Sequence, residues 1–337
     1  MTNRNLVDNN STQAQLNSVE LNPVKMNPIE AILSQYPVII LDGALATELE
    51  QHGCNLDDPL WSARVLLEQP EIIYQVHAEY FRAGADCAIT SSYQASIEGF
   101  RQRGLTEEDS LALIKKTVEL ARQAREDVWA ELDTDRKKRP FPLVAGSVGP
   151  YGAYLADGSE YVGHYQVSDQ TLAEFHRPRM AALLEAGADV LAFETIPSLQ
   201  EAQVLIQLLK EFPGAYAWLS FSLQDGTSIS EGTSLTDCAR LMADEPQLVA
   251  IGLNCAPMEV VTEAVTLLKQ SSDKPVIIYP NSGETYDATT KTWSGHGSCG
   301  SMTEASEAWV AAGAQLVGGC CRTTPLQISN LAKKWRT

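Results

Sequence analysis

Three cysteines stand where a metal ion could use them. Cys255 closes the apolar run Leu248–Cys255, and the adjacent pair Cys320–Cys321 closes Ala314–Cys321. Three thiolates with a fourth position open describe a catalytic zinc site, because structural sites are usually closed by four protein ligands. Adjacent residues of a strand point to opposite faces, so both members of the pair reach one ion only if the backbone bends just after the strand. Gly318-Gly319 before the pair and Thr323-Thr324-Pro325 after it allow such a bend. Other readings stay open on spacing alone: two inert thiols, or a strained vicinal disulfide. Cys54, Cys87, Cys238 and Cys299 read as small core hydrophobes. The odd total of seven and the irregular spacing fit free thiols or metal ligands better than a disulfide framework. His52, His77, His164, His176 and His296 show no metal spacing and read as structural or exposed.

Elements able to bring these groups together recur along the chain. Apolar runs occupy Val38–Ala44, Ala85–Ser92, Pro142–Pro150, Asp189–Thr195, Ala217–Leu223, Leu248–Cys255, Pro275–Asn281 and Ala314–Cys321. Most are continuously apolar, as strands of a parallel sheet buried on both faces are. Helical patterns lie between them, among them Glu71–Ala83, Leu172–Glu185 and Glu304–Ala312. Each is followed by an Ala-Gly-Ala turn into the next strand, at Ala83-Gly84-Ala85, Ala186-Gly187-Ala188 and Ala312-Gly313-Ala314. Eight such units predict an α/β fold, a single-domain (β/α)₈ TIM barrel. A doubly wound sheet lacks its G-x-G-x-x-G turn after the first strand. Barrel enzymes work at the C-terminal strand ends, and those ends are polar here. They include Asp42-Gly43, Thr90-Ser91-Ser92, Gly146-Ser147-Val148-Gly149, Glu194-Thr195, Asn254-Cys255 and Tyr279-Pro280-Asn281, whereas the fifth strand is less informative.

The 337 residues suit one large barrel, and 44% hydrophobic with 20% charged residues is ordinary for a globular chain. A formal charge of −18 repels phosphate backbones, which argues against nucleic-acid binding but not against a cationic or zwitterionic substrate. No apolar run approaches the roughly 18 residues of a membrane span. Residues 1–28 are polar and Asn-rich without an apolar signal region, and they are expected to form a disordered extension ahead of a barrel over 29–337. The expected compartment is the cytoplasm.

Taken in order, these motifs resemble the homocysteine S-methyltransferase family. Gly252-Leu253-Asn254-Cys255 with Gly318-Gly319-Cys320-Cys321-Arg322 resembles its zinc site, and Leu41-Asp42-Gly43-Ala44-Leu45-Ala46-Thr47-Glu48-Leu49 its opening strand. Thr90-Ser91-Ser92-Tyr93-Gln94-Ala95-Ser96, Gly146–Gly152 and Tyr279-Pro280-Asn281-Ser282-Gly283-Glu284 are similar too. The match runs from about residue 37 to the end, through every strand but the fifth.

The resemblance implies one zinc ion per chain on Cys255, Cys320 and Cys321. It implies methyl transfer from a sulfonium or ammonium donor to homocysteine, giving methionine. A free thiol with a pKa near about 8.5 is mostly protonated at neutral pH, and zinc removes that proton. Zinc would then be a thiol activator and template, not a hydroxide generator. Glu194 matches the family's amine-binding glutamate, and Asp42 with Gly43 lies near the substrates. Asp-Gly also marks ordinary turns. The substrate carboxylate is expected on backbone N–H groups around Ser147 and Val148 or on Ser92, unless that segment is only a tight loop. Asn254 either orients Cys255 or caps a loop. Tyr279 and Trp293 offer rings for a cationic donor or pack in the core. The 279–284 and 91–96 segments resemble the S-methylmethionine-using branch, and Glu194-Thr195 departs from the Glu-Tyr of the betaine-using branch. The expected donor is S-methylmethionine, with S-adenosylmethionine poorer. Betaine as donor and selenocysteine as acceptor are the alternatives within the family. A zinc-buffering or thiol redox-sensing protein is the alternative outside it, and oligomeric state is left open.

Overall fold

The computed structural model describes residues 26–56, 61–132, 138–283, 285–287, 292–294 and 299–336, with backbone alone at 61–63, 285–287, 292–294 and 299–301. The extension expected over 1–28 falls, as far as residue 25, outside the described residues. The helix Pro28–Leu33 opens the described fold, with Asn27 Oδ1 accepting from Ile29 N at 3.0 Å as its cap.

Each apolar run contains one barrel strand. They are β1 Ile39–Ile40, β2 Cys87–Ile89, β3 Leu143–Val148, β4 Val190–Ile196, β5 Ala217–Phe221, β6 Leu248–Asn254 and β7 Val276–Tyr279. A small antiparallel hairpin follows, β8 Thr285–Asp287 with β9 Thr292–Ser294, and then the last barrel strand, β10 Ala314–Val317. Neighbours run β1-β10-β7-β6-β5-β4-β3-β2, and every pairing in this sheet is parallel. The remaining edges meet through a Leu41–Cys87 bridge, with Asp42 N donating to Cys87 O at 3.0 Å. The barrel is thereby closed.

The Ala-Gly-Ala punctuation sets where strands begin. Gly84, Gly187 and Gly313 follow the helices Pro70–Ala83, Asp169–Glu185 and Cys299–Ala312 at φ of +111°, +90° and +119°. Side-chain-bearing residues rarely adopt this left-handed conformation, so glycine ends each helix and turns the chain inward.

Period two divides each strand between two cores. Ile39, Leu41, Cys87, Ala145, Ala192, Trp218, Ala250, Ile277 and Leu316 face the barrel interior. The alternate residues, such as Ile40, Val144, Phe193, Leu219, Ile251 and Ile278, pack on the helices. Ile29 and Ile32 of the first helix join the interior cluster and plug its floor. Burying each contributes about 2 kcal/mol. Among the described residues no helix is long and apolar enough to cross a membrane.

Candidate active site and metal centre

Continuing the inward parity upward places a polar ring at the C-terminal mouth. Ser147, Glu194, Ser220 and Tyr279 stand two residues beyond Ala145, Ala192, Trp218 and Ile277, and Asn254 and Cys320 stand four beyond Ala250 and Leu316. Cys255 and Cys321 are one residue out of phase, so the backbone must turn to bring them in. It does so at Cys255, whose φ is +49°, and in a tight turn after β10 where Thr323 N and Oγ1 both donate to Cys320 O, at 3.1 and 2.6 Å. Gly318 permits the approach of this segment to β1, since a Cβ there would lie 2.5 Å from that of Leu41.

One ligand atom from each of Cys255, Cys320 and Cys321 lies within 4.8 Å of the other two, and all three residues are half-buried. The Cys255 and Cys320 sulfurs are in bonding contact, and Cys321 Sγ lies 4.0 Å from each of them. The contact thus joins Cys255 to Cys320, not the adjacent pair. Metal binding needs the same sulfurs as separate thiolates, so the two states exclude one another. Burial pushes the Cys321 thiol up to about 11, which leaves it protonated at neutral pH unless a cation displaces the proton. Three soft donors, with no fourth protein ligand grouped with them among the described residues, fit zinc with one position open. Cys54, Cys87 and Cys238 are buried free thiols, as expected, and the Cys299 side chain lies outside the described residues.

Glu194, near the C-terminal end of β4, is buried. Ser147 Oγ donates to its Oε1, and the Tyr279 hydroxyl is hydrogen-bonded to the same carboxylate. Tyr279 is held in turn by Trp218 Nε1 at 3.2 Å and Ser220 Oγ at 2.6 Å. Burial raises the Glu194 carboxyl to about 7, against the lowering effect of its hydroxyl donors. No arginine or lysine contributes. Asp42 is buried as well. Desolvation holds it well above the carboxylate range and the Glu194 charge adds to this, while its bond from Ile89 N works the other way. Among the described residues no protein cation faces these two buried carboxylates, which together form a site for a cationic group.

Several sequence candidates prove to be committed within the protein. Ser147 N donates to Thr90 Oγ1 at 2.9 Å, and Ser92 Oγ donates to Ser147 O at 2.8 Å. Neither group is free for a substrate carboxylate in this arrangement. Val148 is fully buried at the end of β3, and Gly43 is wedged against Thr323 and Tyr80. Asn254 does not orient Cys255 through its side chain. Its Oδ1 accepts from Thr195 N and its Nδ2 donates to Thr195 Oγ1, both at 2.7 Å. This pins a β-branched residue at φ +59° beside Glu194. The Cys255 carbonyl is held instead by Asn281 Nδ2 at 3.3 Å. The Trp293 side chain lies outside the described residues.

The profile of the family described as homocysteine S-methyltransferase matches residues 39–335. The chain belongs to the homocysteine S-methyltransferase family. It is 55% identical over 304 residues to homocysteine S-methyltransferase YbgG of Bacillus subtilis (strain 168), covering 90% of this chain and 96% of that one. It is 54% identical to the homocysteine S-methyltransferase of Escherichia coli (strain K12), covering 90% and 97%. The fold is similar to the crystal structure of Escherichia coli homocysteine methyltransferase MmuM in its metallated form. That match has a TM-score of 0.83 at 50% identity and covers 91% of this chain and all of the other.

For this homocysteine S-methyltransferase family member, the sequence analysis placed Thr90 and Thr195 at polar strand ends without giving them a role, and it missed Trp218 and Ser220. Trp218 and Ser220 carry a visible signal, an inward i, i+2 pair on the strand that had no polar end. Thr195 carries none, because its importance lies in a backbone conformation.

Proposed function

We propose that this protein transfers a methyl group from a sulfonium amino acid, S-methylmethionine by preference, to the thiol of homocysteine. The observation that carries the reading is the placing of Glu194 and Asp42 at the same barrel mouth as the sulfurs of Cys255, Cys320 and Cys321. When bound to those cysteines, zinc supplies a Lewis acid that keeps a substrate thiol deprotonated and nucleophilic.

The protein's own groups do the rest. Glu194, aligned by Ser147 and Tyr279, takes the homocysteine ammonium, and Asp42 adds negative potential beside it once that cation is in place. Ammonium binding replaces the missing cation and returns Glu194 to its ionised form. The acceptor proton leaves to solvent. The donor's S–CH₃ bond breaks with its electron pair staying on the donor sulfur, and the acceptor sulfur bonds the carbon. A thiolate and a sulfonium become two neutral thioethers, so a mouth that excludes water favours the step. Holding the two sulfurs in line is the remaining task. Free thiols of this kind suit a reducing cytoplasm.

A donor panel of S-methylmethionine, S-adenosylmethionine and betaine against homocysteine, with and without a zinc chelator, tests the reading. Methionine from S-methylmethionine, abolished by chelator, is expected. Methionine from betaine alone overturns the donor assignment. Selenocysteine in place of homocysteine tests the acceptor. The contact between Cys255 and Cys320 suits a redox sensor, but sensing needs neither Glu194 nor Asp42. Zinc-edge X-ray absorption separates the two readings: an added sulfur ligand on homocysteine addition supports turnover, and an unchanged shell supports storage or sensing.

A further inference from the structure

A third carboxylate, beyond Glu194 and Asp42, lies on the C-terminal side of the barrel with no cation beside it among the described residues. Glu160 sits in a one-turn helix, Ser159–Tyr161, in the long connection that follows β3. That connection carries non-glycine residues in the left-handed region, Ala156 at φ +55°, His164 at +58° and Gln166 at +58°. Strain of this kind persists only where surrounding contacts impose it. Within this connection the main chain of Glu160 is held by bonds of its own. Ser222 Oγ, just past β5, donates to Glu160 O at 3.0 Å, and Ser230 Oγ supports Ser222 at 2.9 Å. Gly152 presses on the same turn so closely that a Cβ there would lie 2.5 Å from Glu160 N. The main chain of Glu160 is thus fixed from β3 and β5 together.

Its side chain is not matched in the same way. Glu160 Oε2 is buried and has no hydrogen-bond partner. Burial raises the carboxyl, a hydrogen bond from its own backbone N–H works the other way, Asp157 adds to the rise, and among the described residues no cationic side chain offsets it. Tyr93 stands close by. The charges of both Glu160 and Glu194 act on its hydroxyl, which is hydrogen-bonded to Thr195. Thr195 is clamped by Asn254, the neighbour of Cys255. An unbroken set of contacts therefore runs from Tyr93 to the cysteine cluster, with a carboxylate near each end.

The reaction proposed above brings together two amino acids, each with its own ammonium group. We propose that Glu160 binds the α-ammonium of the methyl donor, leaving Glu194 for that of homocysteine. The ligand class is a sulfonium amino acid with a free α-amino group, and Tyr93 lies between the two anchors. The assignment rests on the donor reading above. Glu160 is a binding residue in it and takes no part in bond making.

The test compares S-methylmethionine with 4-(dimethylsulfonio)butanoate, the same sulfonium without the amino group, in the zinc-loaded full-length protein and in Glu160→Gln. A charge-assisted hydrogen bond corresponds to roughly 10- to 100-fold in affinity. Wild type is expected to prefer S-methylmethionine by about that factor in kcat/KM. In Glu160→Gln the preference disappears through a raised donor KM, while the homocysteine KM and the zinc content hold. Equal loss with both donors, or an unchanged preference, overturns the inference. Glu160→Asp, which keeps the charge, should retain part of the preference and guards against a misfolded Gln variant. Titration calorimetry with S-methylmethionine reads the site without turnover. Binding weakened about tenfold or more in Glu160→Gln supports it; equal binding overturns it even in an active enzyme. A wild type that forms no methionine from any sulfonium overturns the proposed function, and the titration still decides the site.

Discussion

Asp42 and Asp86 seal the β1–β2 seam from opposite ends. Asp42 Oδ2 accepts from Ile89 N at 2.9 Å near the mouth, and Asp86 Oδ2 accepts from Ile40 N at 2.8 Å near the floor. Between them the two strands share little more than the Leu41–Cys87 bridge. Side-chain carboxylates replace ladder bonds that these short strands lack.

Asp42 therefore has two roles that separate experimentally. Asp42→Ala leaves Ile89 N buried without its acceptor and should cost about 1–3 kcal/mol of stability. Asp42→Asn keeps an acceptor oxygen and should restore most of that stability while homocysteine binding stays weak. Thermal melts beside homocysteine titrations check this, and full activity in Asp42→Asn would remove its charge from the mechanism.

At the floor, Arg336 Nη2 pairs with Asp86 and Nη1 donates to Val38 O at 2.7 Å. Arg139 stands next to the same carboxylate, with Nε 3.9 Å from Oδ1. Arg336→Ala should destabilise the fold by about 3 kcal/mol, because it leaves a buried charge poorly matched. Turnover per folded molecule should not change, as the pair lies at the end of the barrel away from the cysteines. Denaturant melts and kinetics on one preparation read both.

Glu194 exchanges stability for binding. Its carboxyl sits near 7 in the fold against an ordinary 4.5. Below 4.5 it is neutral whether folded or unfolded and contributes nothing. As pH rises to 7 the unfolded chain ionises first, so stability falls across this window and the full penalty stands above 7. Glu194→Gln should raise stability at pH 8 by about 3 kcal/mol. It should weaken homocysteine binding and flatten the rise in affinity through pH 7 expected of the wild type. Calorimetry at pH 6 and 8 checks the sign.

Cys320→Ala should lose zinc and reduce turnover by well over about 100-fold, since even residues that only support a metal ligand are worth 10- to 100-fold. Metal analysis of the dialysed protein with a methionine assay tests it, and retained turnover would refute the centre.

Asn254→Ala should act one step removed. It leaves Thr195 N unpaired at φ +59°, costing about 1–3 kcal/mol. Zinc stoichiometry should persist, while turnover falls as Glu194 and Tyr93 lose their neighbour's fixed geometry. Loss of zinc in this variant would place Asn254 closer to the metal than its bonds to Thr195 indicate.

The barrel was legible because its strands are continuous apolar runs divided by Ala-Gly-Ala turns, which are local features. The cysteine cluster was legible because Cys255 and Cys320–Cys321 end two of those runs. The partners of polar groups were not. Ser147 and Ser92 look available in sequence, but the Thr90 hydroxyl takes the Ser147 N–H and the Ser147 carbonyl takes the Ser92 hydroxyl. Asn254 was read against its neighbour Cys255, while its true partner is 59 residues away on β4. Trp218 and Ser220 went unnoticed because a strand without a polar terminus offers no prompt. Glu160 gives no sign at all, since lacking a partner is a property of the folded neighbourhood.

The helix Pro28–Leu33 lies across the floor, with Ile29 and Ile32 inserted between the strands and Asn27 at its leading end. Whatever is joined ahead of Asn27 starts from the face remote from the substrate entrance. An affinity tag or a surface tether attached there should leave access for both reactants unobstructed, whereas one attached beside the β3 connection would not.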